Sequence, residues 1–396
     1  MKKSPLNALL RFFSSFGLAI VVLLFLFLLT LLGTLEQARV GLYEVQDRYF
    51  SAFFLVHEFP NGLKLPLPGV YLLSVILSIN LLVGMFVRMR PSWAKAGIYV
   101  IHVGILFMLL AGLVTHHFAI EGQMTLAPDQ SSSRFSSYHE WELVVADTST
   151  ADHNKEYVVP EELFADLSRG QERTIQSGDW PFDVVVGQYA RNGIPQPERS
   201  AATAKRKIVD GFFFEKLSPE KENERNLPGL YLALRDKQSG ERREAILWGG
   251  SIRLSDHASL PLTVEAGGKQ WDLKLQRRTW TVPFTLKLNR FIRELHPGTS
   301  MPRAFRSDVT KIEGETREDL TIKMNHPLRH KGLVFFQASF FENPRTGQMS
   351  STFAVVRNPA DQWPLVACII ISVGLLTQFG ITLVRYLRSE RARQAR

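Results

Sequence analysis

Residues 97–115 read GIYVIHVGILFMLLAGLVT, nineteen positions with no formal charge and one imidazole, His102, in their first third. A ~30 Å hydrocarbon layer demands about 20 apolar residues in a helix, and this run supplies them. Gly17–Leu35, Gly69–Val87 and Leu365–Val384 have the same character, so four spans are expected. A near-zero mean hydropathy conceals them, because the long stretch between the third and fourth runs is mostly polar. The expected organisation is an N-terminal membrane region at 1–115 with three spans, an extracytoplasmic domain at 116–363, and a last span with a basic tail at 364–396.

Charge sets the orientation. Lys2, Lys3, Arg11, Arg88, Arg90, Lys95, Arg385, Arg388, Arg391, Arg393 and Arg396, less Glu390, give the presumptive cytoplasmic flanks a net charge of +10. The loop from Glu36 to Pro66 carries −1 and residues 118–362 are neutral, which recovers the total of +9. Positive flanks stay inside, so both termini are expected in the cytoplasm and the large domain in the periplasm, beyond the cytoplasmic (inner) membrane. The excess of bases, confined to membrane flanks, argues against nucleic acid as a partner. The first apolar run follows a basic start as a secretory signal does. It exceeds the usual ~7–15-residue core, and no small-residue cleavage pattern follows Thr34, so it reads as a span.

The sole cysteine, Cys368, lies in the last span. The chain therefore has no C-x-x-C pair, which excludes direct thiol–disulfide exchange, covalent c-type haem, an iron–sulfur cluster and a cysteine zinc site. The polar region has strand periodicity instead. Alternation in Phe182–Val186, Leu230–Leu234, Trp271–Leu275, Phe284–Leu288 and Leu320–Met324, punctuated by Gly and Pro, predicts a large mainly-β antiparallel domain, a sandwich or barrel-like. Glu161–Ser168 is the one helix expected there. Gln188–Arg206 and Lys216–Asn226 read as long loops.

Three histidines are candidates for chemistry. His102 lies about seven residues after Lys95, hence roughly 10 Å along the helix at ~1.5 Å per residue, in the cytoplasmic half of the bilayer. An ionisable group there faces a partner, a cavity or a cofactor. Two readings stand side by side: a neutral imidazole bonded to a neighbouring helix, and an axial ligand to haem iron, which imidazole and apolar walls suit. Gly104 and Gly112 offer small surfaces for a helix or a flat ring. His116 and His117 follow at the helix end, their side chains ~100° apart, and are indistinguishable as alternative ligands; His57, in the first outer loop, is weaker still. His139, His153, His257, His296, His326 and His330, in the outer domain, are no stronger as ligands. Pro327 opposes the helix that would bring His326 and His330 together. No Gly-x-Ser-x-Gly, His-Glu-x-x-His or P-loop pattern is present, so no catalytic residue is assigned. The cluster Lys205-Arg206-Lys207 reads as a solvated loop.

The order of parts resembles the ResB-like (CcsB) family of System II cytochrome c biogenesis proteins. The resemblance is carried by Leu31-Leu32-Gly33-Thr34-Leu35, by His102-Val103-Gly104-Ile105-Leu106 with Leu110-Ala111-Gly112, and by Glu121-Gly122. It continues through Pro283-Phe284-Thr285-Leu286, His296-Pro297-Gly298-Thr299, Phe305-Arg306-Ser307, Met324-Asn325-His326-Pro327-Leu328 and Phe335-Phe336-Gln337-Ala338-Ser339-Phe340. It implies one subunit of a membrane haem-delivery and holocytochrome c synthetase (haem lyase) complex, inactive alone. The subunit would help hold haem in the membrane and present apocytochrome c for covalent attachment at Cys-x-x-Cys-His. The implied cofactor is a transient, non-covalent b-type haem, shared with a CcsA-like multi-span partner that carries the tryptophan-rich W-W-D loop. The seven tryptophans here are scattered and form no such loop. The resemblance maps His102 onto a family haem ligand. A competing reading of the same topology is a non-enzymatic, membrane-anchored scaffold or sensor.

The charge pattern makes an expectation that topology reporters check. An alkaline phosphatase fusion near Asp210 should be active and one after Arg396 inactive; the reverse pattern would invert the orientation.

Overall fold

In the computed structural model, which describes residues 5–59, 61–89, 92–149, 155–168, 170–198, 206–250, 262–299 and 301–395, the four apolar runs are helices. They are α2 (Phe16–Val40), α4 (Val70–Val87), α5 (Ala96–Phe118) and α6 (Trp363–Gln394), each long and apolar enough to cross a membrane. An N-terminal helix, α1 (Pro5–Phe13), turns at Ser14, and Ser15 caps α2 by accepting from Gly17 N. Asn80 of α4 donates to Phe13 O at 2.6 Å and Ser15 O at 3.0 Å. Its amide thereby satisfies carbonyls freed at the α1–α2 junction, as a buried polar group in an apolar setting must. Between α2 and α4 the chain forms a short helix α3 (Leu42–Val45), a π-turn (Gln46–Ser51) and a hairpin of β1 (Phe54–Glu58) and β2 (Lys64–Pro68). Leu29, Val45, Tyr49, Leu55, Leu67 and Leu73 bury one another there. The chain divides into two compact units, Met1–Ile120 with Val356–Arg396, and Glu121–Val355.

The β unit is antiparallel throughout its described pairings. Its strands are β3 (Ile120–Leu126), β4 (Ser131–Asp147), β5 (Lys155–Pro160), β6 (Glu172–Ile175), β7 (Phe182–Ala190) and β8 (Gly193–Pro197). There follow β9 (Phe212–Lys216), β10 (Gly229–Asp236), β11 (Arg242–Trp248), β12 (Leu262–Ala266), β13 (Lys269–Leu295) and β14 (Pro302–Glu313). Last come β15 (Thr316–Lys323), β16 (Leu328–His330), β17 (Leu333–Glu342) and β18 (Met349–Arg357). Among the described residues β11-β10-β7-β6 form one sheet, and β15-β14-β13-β4-β3-β18-β17-β16 the backbone of a larger one, with β12 and β5 added to β13 and β4.

Two cores result. In the first, inward residues of β7 and β10 (Phe182, Val184, Val186, Leu230, Leu232) pack face to face on Leu143, Val145, Trp271 and Leu273 of β4 and β13, a sandwich. In the second, the large sheet rolls on itself, so that strands distant in its order meet. Phe284 of β13 packs on Phe335 of β17 at 5.6 Å, and Phe305 of β14 on Phe340 of β17 at 5.3 Å. Buried Ser307 (β14) donates to Gln337 Oε1 at 2.6 Å and reaches Ser351 Oγ at 2.8 Å, tying β14, β17 and β18 together. The expected sandwich or barrel-like character is thus divided between the two cores.

Local expectations differ at three places. Trp271–Leu275 and Phe284–Leu288 are one strand, β13, whose pairing with β4 slips between Thr281 and Leu286 around Pro283; a proline removes one ladder donor and bends the strand without ending it. The helix expected over Glu161–Ser168 is only a 3₁₀ turn at Glu161–Leu163. The Glu161 carboxylate accepts from Trp141 N (2.9 Å) and Tyr189 OH (2.6 Å), while Phe164 and Leu167, three residues apart, sink into the core at the spacing of a tight turn. Gln188–Arg206 is not a long loop as far as Glu198: β7 continues to Ala190, Asn192-Gly193 turns the chain, and β8 pairs with β9. Pairing wins because Ala190, Val209, Phe214, Tyr231 and Trp248 form a small apolar cluster at those strands. Residues 199–205, with Lys205, lie outside the described residues.

In the helical unit, α5 and α6 approach closely. A Cβ at Gly104 would lie 2.6 Å from Ile371 Cγ1 and 3.1 Å from Ile371 N. Gly104→Leu should therefore force the two helices apart and destabilise the protein by about 1–3 kcal/mol, the usual penalty of overpacking. The melting midpoint in detergent should fall, whereas Gly112→Leu, whose Cβ meets nothing within 4 Å, should leave it near wild type.

Candidate functional site

α5 presents two unlike faces. Gly97, Gly104 and Ala111, seven residues apart, form the buried stripe, and small residues there let α6 come to backbone distance. The pair is reinforced along its length: Gln378 Nε2 donates to Ala94 O (3.2 Å), Phe107 stacks on Trp363 (5.2 Å, 20°), and Asn358 Nδ2 donates to Thr115 Oγ1 (3.0 Å). His102 lies on the other side, about 160° round the helix from Gly104 at ~100° per residue. His102, Leu106, Leu109, Leu113 and His116 follow one another on that side. His102 and His116 are only ~40° apart in direction and roughly 21 Å apart along the axis.

His102 is half-buried, and its Nδ1 is 2.9 Å from Ile98 O, one turn back. A carbonyl only accepts, so Nδ1 carries a proton, and Nε2 is the nitrogen left to offer a lone pair. That is the tautomer a metal-ligating imidazole adopts, with its second nitrogen fixed by a carbonyl. The donor suits iron, and the apolar residues around it suit a porphyrin.

Further along the same face a cleft of about 650 Å³ opens between α4 and α5. Val75, Ile79 and Leu82 of α4, and Leu106, Leu109 and Leu113 of α5, make it apolar, and His116, Tyr71, Ser74 and Ser78 contribute polar atoms. The two adjacent histidines now separate. His117 Nε2 is bonded to Tyr71 OH at 2.9 Å. His116 lines the cleft and, among the described residues, makes ring contacts only, with Tyr71 at 5.5 Å and His117 at 4.9 Å. The glycines separate too. Gly104 receives a helix, while Gly112 lines the cleft and faces open space.

Near the C-terminal end of α2 lies a buried polar cluster that sequence reading missed. Glu36 accepts from Arg39 Nη2 (2.6 Å) and Tyr49 OH (3.3 Å), and Arg48 Nη1 is 3.5 Å away. His57 Nδ1 contacts Tyr49 OH and lies 3.4 Å from Glu36 Oε2. Burial, then the Glu36 charge, pushes the Tyr49 hydroxyl up to about 12, so it stays a donor. The cluster binds α2, the π-turn and β1 to one another and commits His57 Nδ1 to structure. Its signal in sequence was a carboxylate, Glu36, directly after an apolar run, followed three residues on by Arg39.

Among its described residues the β unit brings no histidines together. His330 Nε2 is 2.8 Å from Glu313 Oε2, His139 Nδ1 is 3.1 Å from Asn223 Nδ2, and His153 and His257 lie outside the described residues. No cluster of three metal-ligating side chains occurs among the described residues.

Residues 262–352 match the ResB-like family, a likeness that implies a role in cytochrome c biogenesis and a link to haem handling. The matched stretch runs from β12 through β17 and ends within β18, before α6; α5 and its histidines lie outside it. No match was found among curated proteins.

His139 is the titratable group of the β unit with a clear consequence. Burial, then the neighbouring Arg277 charge, lowers its pKa from 6.5 to about 4. An imidazole titrating near 6.5 when unfolded and near 4 when folded leaves the unfolded chain holding more protons between those values. Stability should therefore fall as pH drops from about 6.5 to about 4 and change no further from this group below that. Melting curves across this window should show the loss, and His139→Gln, which still accepts from Asn223, should flatten it.

Proposed function

We propose that the chain is a non-autonomous subunit of a System II haem-delivery and holocytochrome c synthetase complex in the cytoplasmic membrane. In this reading both termini are cytoplasmic and the β unit is periplasmic. Its work in the membrane is to hold a b-type haem, as cargo, at His102. The observation that carries the reading is the placement of that side chain: an imidazole in an apolar helix whose Nδ1 is held by Ile98 O, which leaves Nε2 as the nitrogen open to a metal on the face turned from α6. The ResB-like stretch at 262–352 supports the same class of role from the β unit.

The division of labour follows from what this chain holds. One imidazole supplies one axial position, so the second comes from a partner, a CcsA-like multi-span protein with a W-W-D loop. The chain's single thiol, Cys368, lies in α6. The β unit is therefore free of thiols, and can present apocytochrome c without entering mixed disulfides with its cysteines. In this reading covalent attachment to the two cysteines of Cys-x-x-Cys-His is completed on the partner.

Substitution at His102 tests the reading. His102→Ala should insert and fold normally, while haem co-purified with the partner and cytochrome c maturation both fall to background. His102→Gly should regain part of both when imidazole is added to the medium. His102→Gln keeps a donor for Ile98 O but offers iron no imidazole, so it should fail as His102→Ala does. Normal haem content in His102→Gln would mean that the residue serves packing alone.

A further inference from the structure

The geometry points to a second haem station in the same chain, the α4–α5 cleft, with His116 as its iron ligand. This inference rests on haem being the cargo held at His102 and goes beyond it in assigning a separate site. Three observations converge on the cleft. Its volume of about 650 Å³ lies within the usual range of ~300–1,000 Å³ for cofactor and ligand pockets. Its lining is apolar on both walls, as a porphyrin face requires, with the hydroxyls of Tyr71, Ser74 and Ser78 on the α4 side. His116 is the lining side chain with an iron-binding nitrogen, and no hydrogen bond among the described residues occupies it.

Gly112 supplies the room. It lies one turn before His116, and a Cβ there would enter the cleft without meeting any atom within 4 Å. A flat ring bound at His116 can therefore rest against bare helix backbone at Gly112, as α6 does at Gly104. A lipid chain would fill the same volume but would make no use of the exposed His116 imidazole at the mouth of the cleft. An iron porphyrin satisfies both the walls and the nitrogen. Because His102 and His116 share one face of α5, the two stations stand on one helix, roughly 21 Å apart along its axis.

The test is a titration of the full-length chain in lipid nanodiscs with haemin, followed in the Soret region, with iron-free protoporphyrin as the control for shape alone. Wild type should show two haemin binding events. His116→Ala should lose one, and Gly112→Leu should lose the same one with the imidazole still present, because its side chain fills the cleft without disturbing α6. His117→Ala should keep both. His102→Ala should lose the other event, which judges the first station independently. The inference is overturned if His116→Ala and Gly112→Leu both titrate as wild type, if only His117→Ala loses an event, or if Gly112→Leu keeps the event that His116→Ala loses. It is also overturned if the second event is equally strong with iron-free porphyrin, since His116 would then not be a ligand.

Discussion

The contact between α5 and α6 is the constraint on which the helical unit depends. Lipid offers no hydrophobic reward for helix association, because lipid tails are as apolar as leucine. What remains is close van der Waals packing, and Gly97, Gly104 and Gly374 provide it by placing no side chain of their own at the crossing, so that Gln378, Ile371 and Ile101 can close on bare backbone. Polar groups lock the register: Gln378 on Ala94 O at one end and Asn358 on Thr115 at the other. The chain between these two helices comprises the whole β unit, so their packing also closes a very long loop. Closing entropy grows only slowly with loop length, and a well-packed pair of helices is enough to offset it.

That contact also decides what the rest of α5 can do. One face of the helix is consumed by α6, and a helix has few faces. His102 and His116 stand on the face left over, so chemistry and packing do not compete for the same surface. The Ile98 carbonyl then selects the His102 tautomer, and Tyr71 removes His117 from contention by bonding its Nε2. The three histidines of one helix are thus set apart by their hydrogen-bond neighbours.

Much of this was legible in sequence, for definite reasons. Uncharged runs near 20 residues admit few interpretations, and period-2 alternation in Phe182–Val186 or Leu320–Met324 is a local property of the chain. The helical repeat also contains the shared direction of His102 and His116. Which neighbour covers which face is not contained in it, because leucines facing lipid, a cleft or another helix are alike. Gly104 and Gly112 show the difficulty, since both read as room for a helix or a ring, and the structure packs α6 on Gly104 and leaves Gly112 open to a cleft. The β unit hid its bends for a related reason. Pro283 looked like a boundary, yet the flanking pairs to β4 and β14 keep the strand continuous. Glu161 looked like a helix start until Trp141 N and Tyr189 OH, distant in sequence, claimed its carboxylate.

The likeness to a known family and the candidate chemistry reside in different parts of the molecule. The matched stretch, 262–352, includes Ser307, Gln337 and Ser351, whose buried hydrogen bonds join strands at opposite ends of the rolled sheet. A satisfied polar network of this kind tolerates few substitutions, because removing one partner strands the others without water. Folding alone therefore gives such a stretch a reason to hold its residue types. An apolar helix that must only face lipid, admit α6 and carry an imidazole is constrained at few positions, and its many leucines and isoleucines are interchangeable at little cost. Family resemblance is therefore expected to be strongest where the fold is most demanding, and faint along α5, where one residue, His102, carries most of the proposed function.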